Sequence, residues 1–303
     1  MTAIPVLLLS LTTLLLALQG LLEIGDIGRG HSLVPECGHP VVQPASHLSR
    51  RIVGGHEALR GSWPWTVSLF ELDMPACGGA IISDRVILTV AHCFEYPVSR
   101  NASRWTVRAG EHSLLETDPG EMSFPVERIV LHEHYNNTTH ENDIALMVVS
   151  DSILFTTLIR PICVPHYPPH AALPPGTACM IAGWGDTKGT GPRGVLMEVL
   201  LPVISDDVCS LPNWYYNHFI PQKTFCAGYE EGLKDACAGD SGGPLMSKLD
   251  DRWYVSGIAS WGFGCGERRW PGVFTNVTYY VPWIHTQLTA VGLPGLFEDS
   301  IVG

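Results

Sequence analysis

The chain has 303 residues, 46% hydrophobic and 16% charged, which is enough apolar material for one or two folded domains and too much for a disordered chain. A formal net charge of −12 argues against nucleic acid or an anionic membrane as the main partner. Nine cysteines point to an oxidising compartment, with a disulfide framework and one cysteine left over.

The first element is Ile4–Leu22, almost wholly apolar, with small residues after it. Its core has the length of a signal-peptide hydrophobic region, so residues 1–22 read as a signal peptide and the protein as secreted and extracellular. No Lys or Arg precedes the run, and a retained signal anchor is the other reading. Sequons at Asn101, Asn136, Asn137 and Asn276 agree with the secretory route; Asn136 and Asn137 are adjacent, so crowding leaves room for one glycan there.

Residues 23–51 have little periodicity and several Pro and Gly, and read as a pro-segment. From Ile52 short β-rich runs follow: Trp65–Phe70, Gly79–Ile82, Val86–Val90, Trp105–Ala109, Ile129–His132 and Ile144–Val149. A Pro-rich connector spans residues 161–175. The second set is Ala178–Ala182, Met197–Val203, Pro244–Met246, Trp253–Ser260 and Gly272–Asn276. Many short strands between Gly/Pro turns indicate an all-β barrel or sandwich. One helix is expected, Tyr279–Leu288, with Thr278 as cap and Pro282 in its first turn. Residues 291–303 form a C-terminal tail.

Three motifs carry the chemistry. In Asp235-Ala236-Cys237-Ala238-Gly239-Asp240-Ser241-Gly242-Gly243-Pro244, glycines flank a serine. A serine hydroxyl becomes a nucleophile only with a base beside it and donors for the oxyanion it creates, and glycines let backbone N–H groups crowd an incoming carbonyl. Upstream, Leu88-Thr89-Val90-Ala91-His92-Cys93 is a β-branched run ending in a histidine tied down by the next cysteine. Between them, Asn142-Asp143-Ile144-Ala145-Leu146 places an aspartate at the start of an apolar strand.

With Ile52-Val53-Gly54-Gly55, the order His, Asp, Ser resembles the trypsin-like serine proteases of the chymotrypsin fold, over Ile52 to about Leu288. The resemblance implies two antiparallel six-stranded β-barrels within residues 52–290, dividing near 161–175, with a C-terminal α-helix. It implies a catalytic triad of His92 as general base, Asp143 as its orienting partner and Ser241 as nucleophile, with the N–H groups of Gly239 and Ser241 as oxyanion hole. Asp235 takes the floor of the primary specificity pocket, with Ser260, Gly262 and Gly272 on its walls, which implies peptide or protein substrates cut after Arg and less well Lys. Ala236 follows Asp235 where many relatives carry serine; one hydroxyl fewer favours guanidinium, which brings its own donors. Cleavage after Arg51 would free Ile52 to turn inward onto Asp240, making the chain a zymogen. The partners implied are an activating trypsin-like protease and protein protease inhibitors, with no nucleic acid.

Family matching pairs Cys37 with Cys163, Cys77 with Cys93, Cys209 with Cys226 and Cys237 with Cys265, so a cleaved pro-segment stays attached as a light chain. Cys179 is left, because its usual partner position holds Ser247; a buried free thiol and a bond to another molecule both stay open. No cofactor is implied. Glu111-His112…Asp118…Glu121 resembles the calcium loop of some relatives, although surface acids in a turn are the commoner explanation. A catalytically inert binding protein on the same fold is the rival reading; such proteins usually lose a triad member or a glycine, and here all are present.

Overall fold

A computed structural model describes residues 35–45, 55–165 and 173–293. The leader at 1–22, the cleavage pair Arg51 and Ile52, and the end of the tail lie outside the described residues.

Two sheets dominate. The first barrel closes in the order β2-β3-β4-β7-β6-β5: β2 (Thr66–Glu71), β3 (Met74–Ile81), β4 (Val86–Thr89), β5 (Trp105–Ala109), β6 (Met122–Leu131) and β7 (Ala145–Val149). The second runs β9-β10-β13-β12-β11-β8 and closes through β9–β8: β8 (Ala178–Gly183), β9 (Met197–Ile204), β10 (Thr224–Ala227), β11 (Pro244–Leu249), β12 (Arg252–Trp261) and β13 (Gly272–Asn276). A two-residue strand, β1 (His56–Glu57), extends this sheet along β9. Every pairing between strands is antiparallel. The fold is thus two six-stranded antiparallel barrels with a C-terminal helix, the chymotrypsin-like architecture. Closure leaves no long free edge in either sheet.

Alternation explains several strands: β5 reads buried–partly buried along its length, with Trp105, Val107 and Ala109 inside. β4 and β7 are buried on both faces, which is why they read as continuous apolar runs. Among the described residues the largest fully buried side chains are Trp65, Trp105, Tyr215 and Phe94. Among the described residues no helix is long and apolar enough to cross a membrane.

Several boundaries differ from expectation. β6 begins at Met122, seven residues before Ile129, because Pro125 sits within it opposite Thr106 and a register shift follows between Val126 and Arg128. Proline in a strand reads as a breaker, and an edge or bulge position tolerates it. β3 likewise starts at exposed Met74, and β1 and β10 are too short to show periodicity. A one-turn helix, α1 (Asp206–Cys209), is capped by Ser205, whose hydroxyl accepts from the Val208 N–H. The terminal helix, α2, spans Val277–Ala290, longer than expected at both ends. Its N-cap is Asn276 rather than Thr278, and Pro282 lies inside it, past the first turn. There Pro282 lacks the N–H that would reach the Thr278 carbonyl.

Candidate active site

His92 follows β4 in a short 3₁₀ turn, Ala91–Phe94. Asp143 lies just before β7 and is 1% exposed, so its charge needs partners. It has them. Oδ1 accepts from the His92 backbone N–H at 2.9 Å, and Oδ2 faces His92 Nδ1 at 2.8 Å. The Ser260 hydroxyl donates to Oδ2 at 2.6 Å, and the Thr275 hydroxyl to the Asp143 carbonyl at 2.7 Å. This bond pattern puts the Nδ1 proton toward the carboxylate and leaves Nε2 as the basic nitrogen. Burial alone would lower the His92 pKa; the hydrogen bond and charge of Asp143, with Glu95, outweigh it and raise the pKa above 6.5.

Ser241 comes from the second barrel, in the loop ahead of β11. Its carbonyl accepts from the Gly78 N–H of β3 at 2.7 Å, a bond that joins the two barrels at the site. Gly78 adjoins Cys77, Cys77 is bridged to Cys93, and Cys93 follows His92. The serine loop and the histidine turn are therefore tied to the same strand end. The loop is braced by Asp240 N–H to Cys237 carbonyl (2.9 Å), Gly242 N–H to Ala259 carbonyl (2.8 Å) and Gly243 N–H to Asp240 carbonyl (2.9 Å). Gly239 has φ +100°, a conformation for which L side chains are poorly suited. Among the described residues, the N–H groups of Gly239 and Ser241 reach no backbone carbonyl.

Asp240 is held by the Gly185 N–H at Oδ1 (2.8 Å) and the Cys237 N–H at Oδ2 (2.9 Å). Burial still raises its pKa, the two N–H groups pulling it back only partly. No cation is among those partners.

Asp235 lines a cavity of about 230 Å³ that Lys188, Cys237, Cys265, Gly266 and Glu267 also bound. Its Oδ2 accepts from the Gly266 N–H at 3.0 Å, while Oδ1 is buried with no hydrogen-bond partner. Burial pushes its pKa up to about 6, against the pull of the nearby Gly266, Ala236 and Gly272 N–H groups. Gly272 is required here: a Cβ would stand 2.9 Å from Oδ1 and 3.0 Å from the Phe274 ring. Ser260, Gly262 and Gly272 do not line that cavity, and the Ser260 hydroxyl is spent on Asp143. Gly262 is exposed at the end of β12.

The disulfides are Cys37–Cys163, Cys77–Cys93, Cys209–Cys226 and Cys237–Cys265. Cys179 is a free thiol with no exposure, and burial pushes its pKa up to about 12. It stands directly across from Ser247 in the β8–β11 register. The Cys37 bridge, the Gly38 N–H to the Pro161 carbonyl (2.9 Å) and the Trp253 N–H to the Gly38 carbonyl (3.0 Å) tie residues 37–38 to the connector and to β12.

In the acidic loop, Glu111 is 5% exposed with neither carboxyl oxygen hydrogen-bonded. Burial, then the charges of Glu121 and Asp118, push its pKa up to about 7. Asp118, however, already accepts from the His112 and Ser113 N–H groups at 2.6 and 2.7 Å and lies 3.5 Å from Arg60 Nε. Metal-ligating atoms within 4.8 Å of one another occur, among the described residues, at Cys77–His92–Cys93 and at His92–His140–Asp143, not at this trio.

Sequence reasoning missed the second ring of donors: Ser260 and Thr275 on Asp143, and the Tyr280 hydroxyl on Asn142 Oδ1 at 3.0 Å. Polar residues at inward-facing strand positions were the available signal. The family model described as Trypsin matches residues 52–284, and the chain belongs to the trypsin family of serine proteases.

Proposed function

We propose that this endopeptidase is secreted as a zymogen, is activated by cleavage after Arg51, and hydrolyses peptide bonds after Arg and less well Lys. The specificity reading is supported by one observation: Asp235 keeps a buried carboxylate oxygen with no hydrogen-bond partner beside Gly272, and burial pushes its pKa up to about 6. A guanidinium supplies both the missing donor and the opposite charge. Lys188, which borders the cavity that Asp235 lines, is directed instead to the Cys265 carbonyl (2.6 Å) and Glu267 (3.4 Å).

The chemistry follows the roles established for this triad. Ser241 Oγ attacks the scissile carbonyl as its proton passes to His92 Nε2. Asp143, holding Nδ1–H, stabilises the imidazolium without taking the proton. The carbonyl electrons move onto oxygen, and the Gly239 and Ser241 N–H groups receive that oxyanion, each worth on the order of 3 kcal/mol. Collapse expels the amine, protonated by His92, and leaves an acyl-Ser241 ester. Water, deprotonated by His92, attacks the ester and releases the acid.

Activation uses Asp240. Among the described residues its buried carboxylate, with its pKa raised, is held by two N–H groups and by no cation, and the ammonium of Ile52 created by cleavage would supply one. That ion pair would fix the loop carrying Gly239 and Ser241. Because Arg51 is the residue type the pocket takes, the enzyme could process its own zymogen. The Cys37–Cys163 bridge would retain the cleaved pro-segment as a light chain. The test is to cleave the zymogen with a trypsin-like protease and follow arginyl- and lysyl-amide hydrolysis alongside N-terminal sequencing. Activity that appears together with an Ile-Val-Gly-Gly terminus supports the reading; full activity in uncleaved chain, or preference for aromatic amides, contradicts it.

A further inference from the structure

A second cavity, of about 580 Å³, lies between residues 132–142 and α2, and no triad side chain lines it. That volume falls in the range of about 300–1,000 Å³ that small-ligand sites occupy. Its lining includes His134, Asn136, Glu141, Lys223, Tyr279 and Trp283. The walls are tied to one another. The Asn136 N–H donates to the Glu141 carbonyl at 3.0 Å, and the Glu141 carboxylate pairs with Lys223. The Lys223 carbonyl in turn accepts at 2.9 Å from the N–H of Asn276, the residue that caps α2. Because Glu141 and Lys223 spend their charges on each other, the cavity favours neither an anion nor a cation. It offers amide, imidazole and hydroxyl groups beside the rings of Tyr279 and Trp283, a combination suited to a neutral polyhydroxylated ligand with apolar C–H faces, which is a sugar.

A sugar attached to the chain would start at the wall of this cavity. Asn136 opens the sequon Asn136-Asn137-Thr138, and Asn137 opens the next, Asn137-Thr138-Thr139. Their side chains are engaged differently. Asn136 is exposed, its Oδ1 accepts from the Thr138 and Thr139 N–H groups at 2.9 and 3.2 Å, and among the described residues its Nδ2 has no hydrogen-bond partner. Asn137 Nδ2 instead donates to Glu95 Oε1 at 3.1 Å, and the Glu95 N–H donates to the His92 carbonyl at 3.2 Å. A glycan on Asn137 would thus stand beside the turn of the triad histidine, whereas one on Asn136 begins at the second cavity.

We infer that Asn136, and not Asn137, carries the N-linked glycan of this loop, and that the innermost sugars lie in the cavity against Tyr279 and Trp283, leaving the Glu95 side of the active site clear. The donor is an oligosaccharide linked to a lipid diphosphate. The Asn136 Nδ2 forms a bond to the anomeric carbon of the first sugar, the bond from that carbon to the phosphate oxygen breaks, its electron pair leaves with the diphosphate, and the amide gives up one proton. The inference rests on the secretory route proposed above, where such a donor is met.

The test uses protein secreted from cells that make high-mannose glycans. Glycans are removed by a peptide N-glycosidase in water enriched in heavy oxygen, which turns the carrying asparagine into labelled aspartate, and peptide fragmentation tells the two neighbours apart. Label at Asn136 alone is expected; label at Asn137 instead, equal label at both, or label at neither would overturn the inference. The seating is read by an endoglycosidase that cuts between the first two sugars, applied to native protein and to native Tyr279→Ala, whose arginyl-ester hydrolysis should match the parent. Release from Asn136 should be at least fivefold faster in the variant, and equal rates would overturn the place in the cavity. Secreted, active enzyme with Asn136 bare would remove this inference and keep the proposed function. A glycan on Asn136 of a protein inert toward arginyl esters would do the reverse.

Discussion

Two buried carboxylates of the site, one from each barrel, stand in opposite conditions. In the first, Asp143 is almost wholly buried yet saturated, with two His92 donors and a serine hydroxyl on its oxygens. In the second, Asp235 has a buried oxygen with no partner and a pKa pushed up to about 6, and Asp240 is raised as well. A saturated carboxylate positions something already present. A carboxylate with an unpartnered oxygen, such as Asp235, has room for a donor it does not yet have. The same burial thus goes with a filled set of partners at Asp143 and an open one at Asp235.

The comparison predicts opposite responses to one substitution. Asp143→Asn should lower kcat by about 10⁴-fold, the magnitude established for a triad aspartate, and should also lower thermal stability, because several donors lose a charged acceptor. Asp235→Asn should cut kcat/KM for arginyl substrates by roughly 10³-fold, an effect of about 4 kcal/mol. Yet it should raise stability at pH 8. A carboxylate whose folded pKa is raised contributes stability below its unfolded pKa near 4 and loses it as pH climbs through about 6. Removing the charge should therefore restore about 1–2 kcal/mol at pH 8 and nothing at pH 3.5. Melting curves of both variants at the two pH values decide this; if both variants melt lower at pH 8, the contrast between the carboxylates fails.

A smaller effect sharpens the first half. Ser260→Ala removes one hydroxyl from Asp143 and should lower kcat about tenfold, since a hydrogen bond to a charged group is worth roughly 1.5–3 kcal/mol. Its KM for a short arginyl substrate should hardly move, because that hydroxyl faces Asp143 and not the slot. A KM effect without a kcat effect would reassign Ser260 to the pocket. The pH profile tests the same contact: Asp143 raises the His92 pKa, so the acid limb of kcat/KM should lie above 6.5 and move downward in Ser260→Ala only if Ser260 helps hold that carboxylate. The smallest expectation concerns the free thiol. Ser247→Cys should close a bridge to Cys179 across β8 and β11, lowering the free-thiol count to zero and adding about 2–4 kcal/mol of stability with activity intact.

The first barrel was legible because β5 alternates strictly and β4 and β7 are nearly unbroken apolar runs. Where expectation and structure part, a local signal was outweighed by tertiary pairing. Pro125 sits in β6 because its neighbours Phe124 and Val126 are buried in the first barrel. Pro282 lies within α2 because Val277, Tyr280, Val281, Ile284 and Leu288 bury one face, which outweighs one missing backbone bond. His92, Asp143 and Ser241 stand out by motif alone, whereas Ser260 read as a pocket wall. Nothing local marks a hydroxyl that reaches 117 positions away.

The central claim is that Ser241, His92 and Asp143 form a nucleophilic centre beside an arginine-accepting slot. Its most direct measurement is the covalent reaction of Arg51-cleaved protein with a fluorophosphonate, followed by peptide mapping, with and without a competing benzamidine. The account predicts one phosphonyl group per chain, on Ser241, slowed by benzamidine in the native protein but not in Asp235→Asn. Cleaved, folded protein that stays unlabelled, or whose labelling at Ser241 ignores benzamidine, would contradict it.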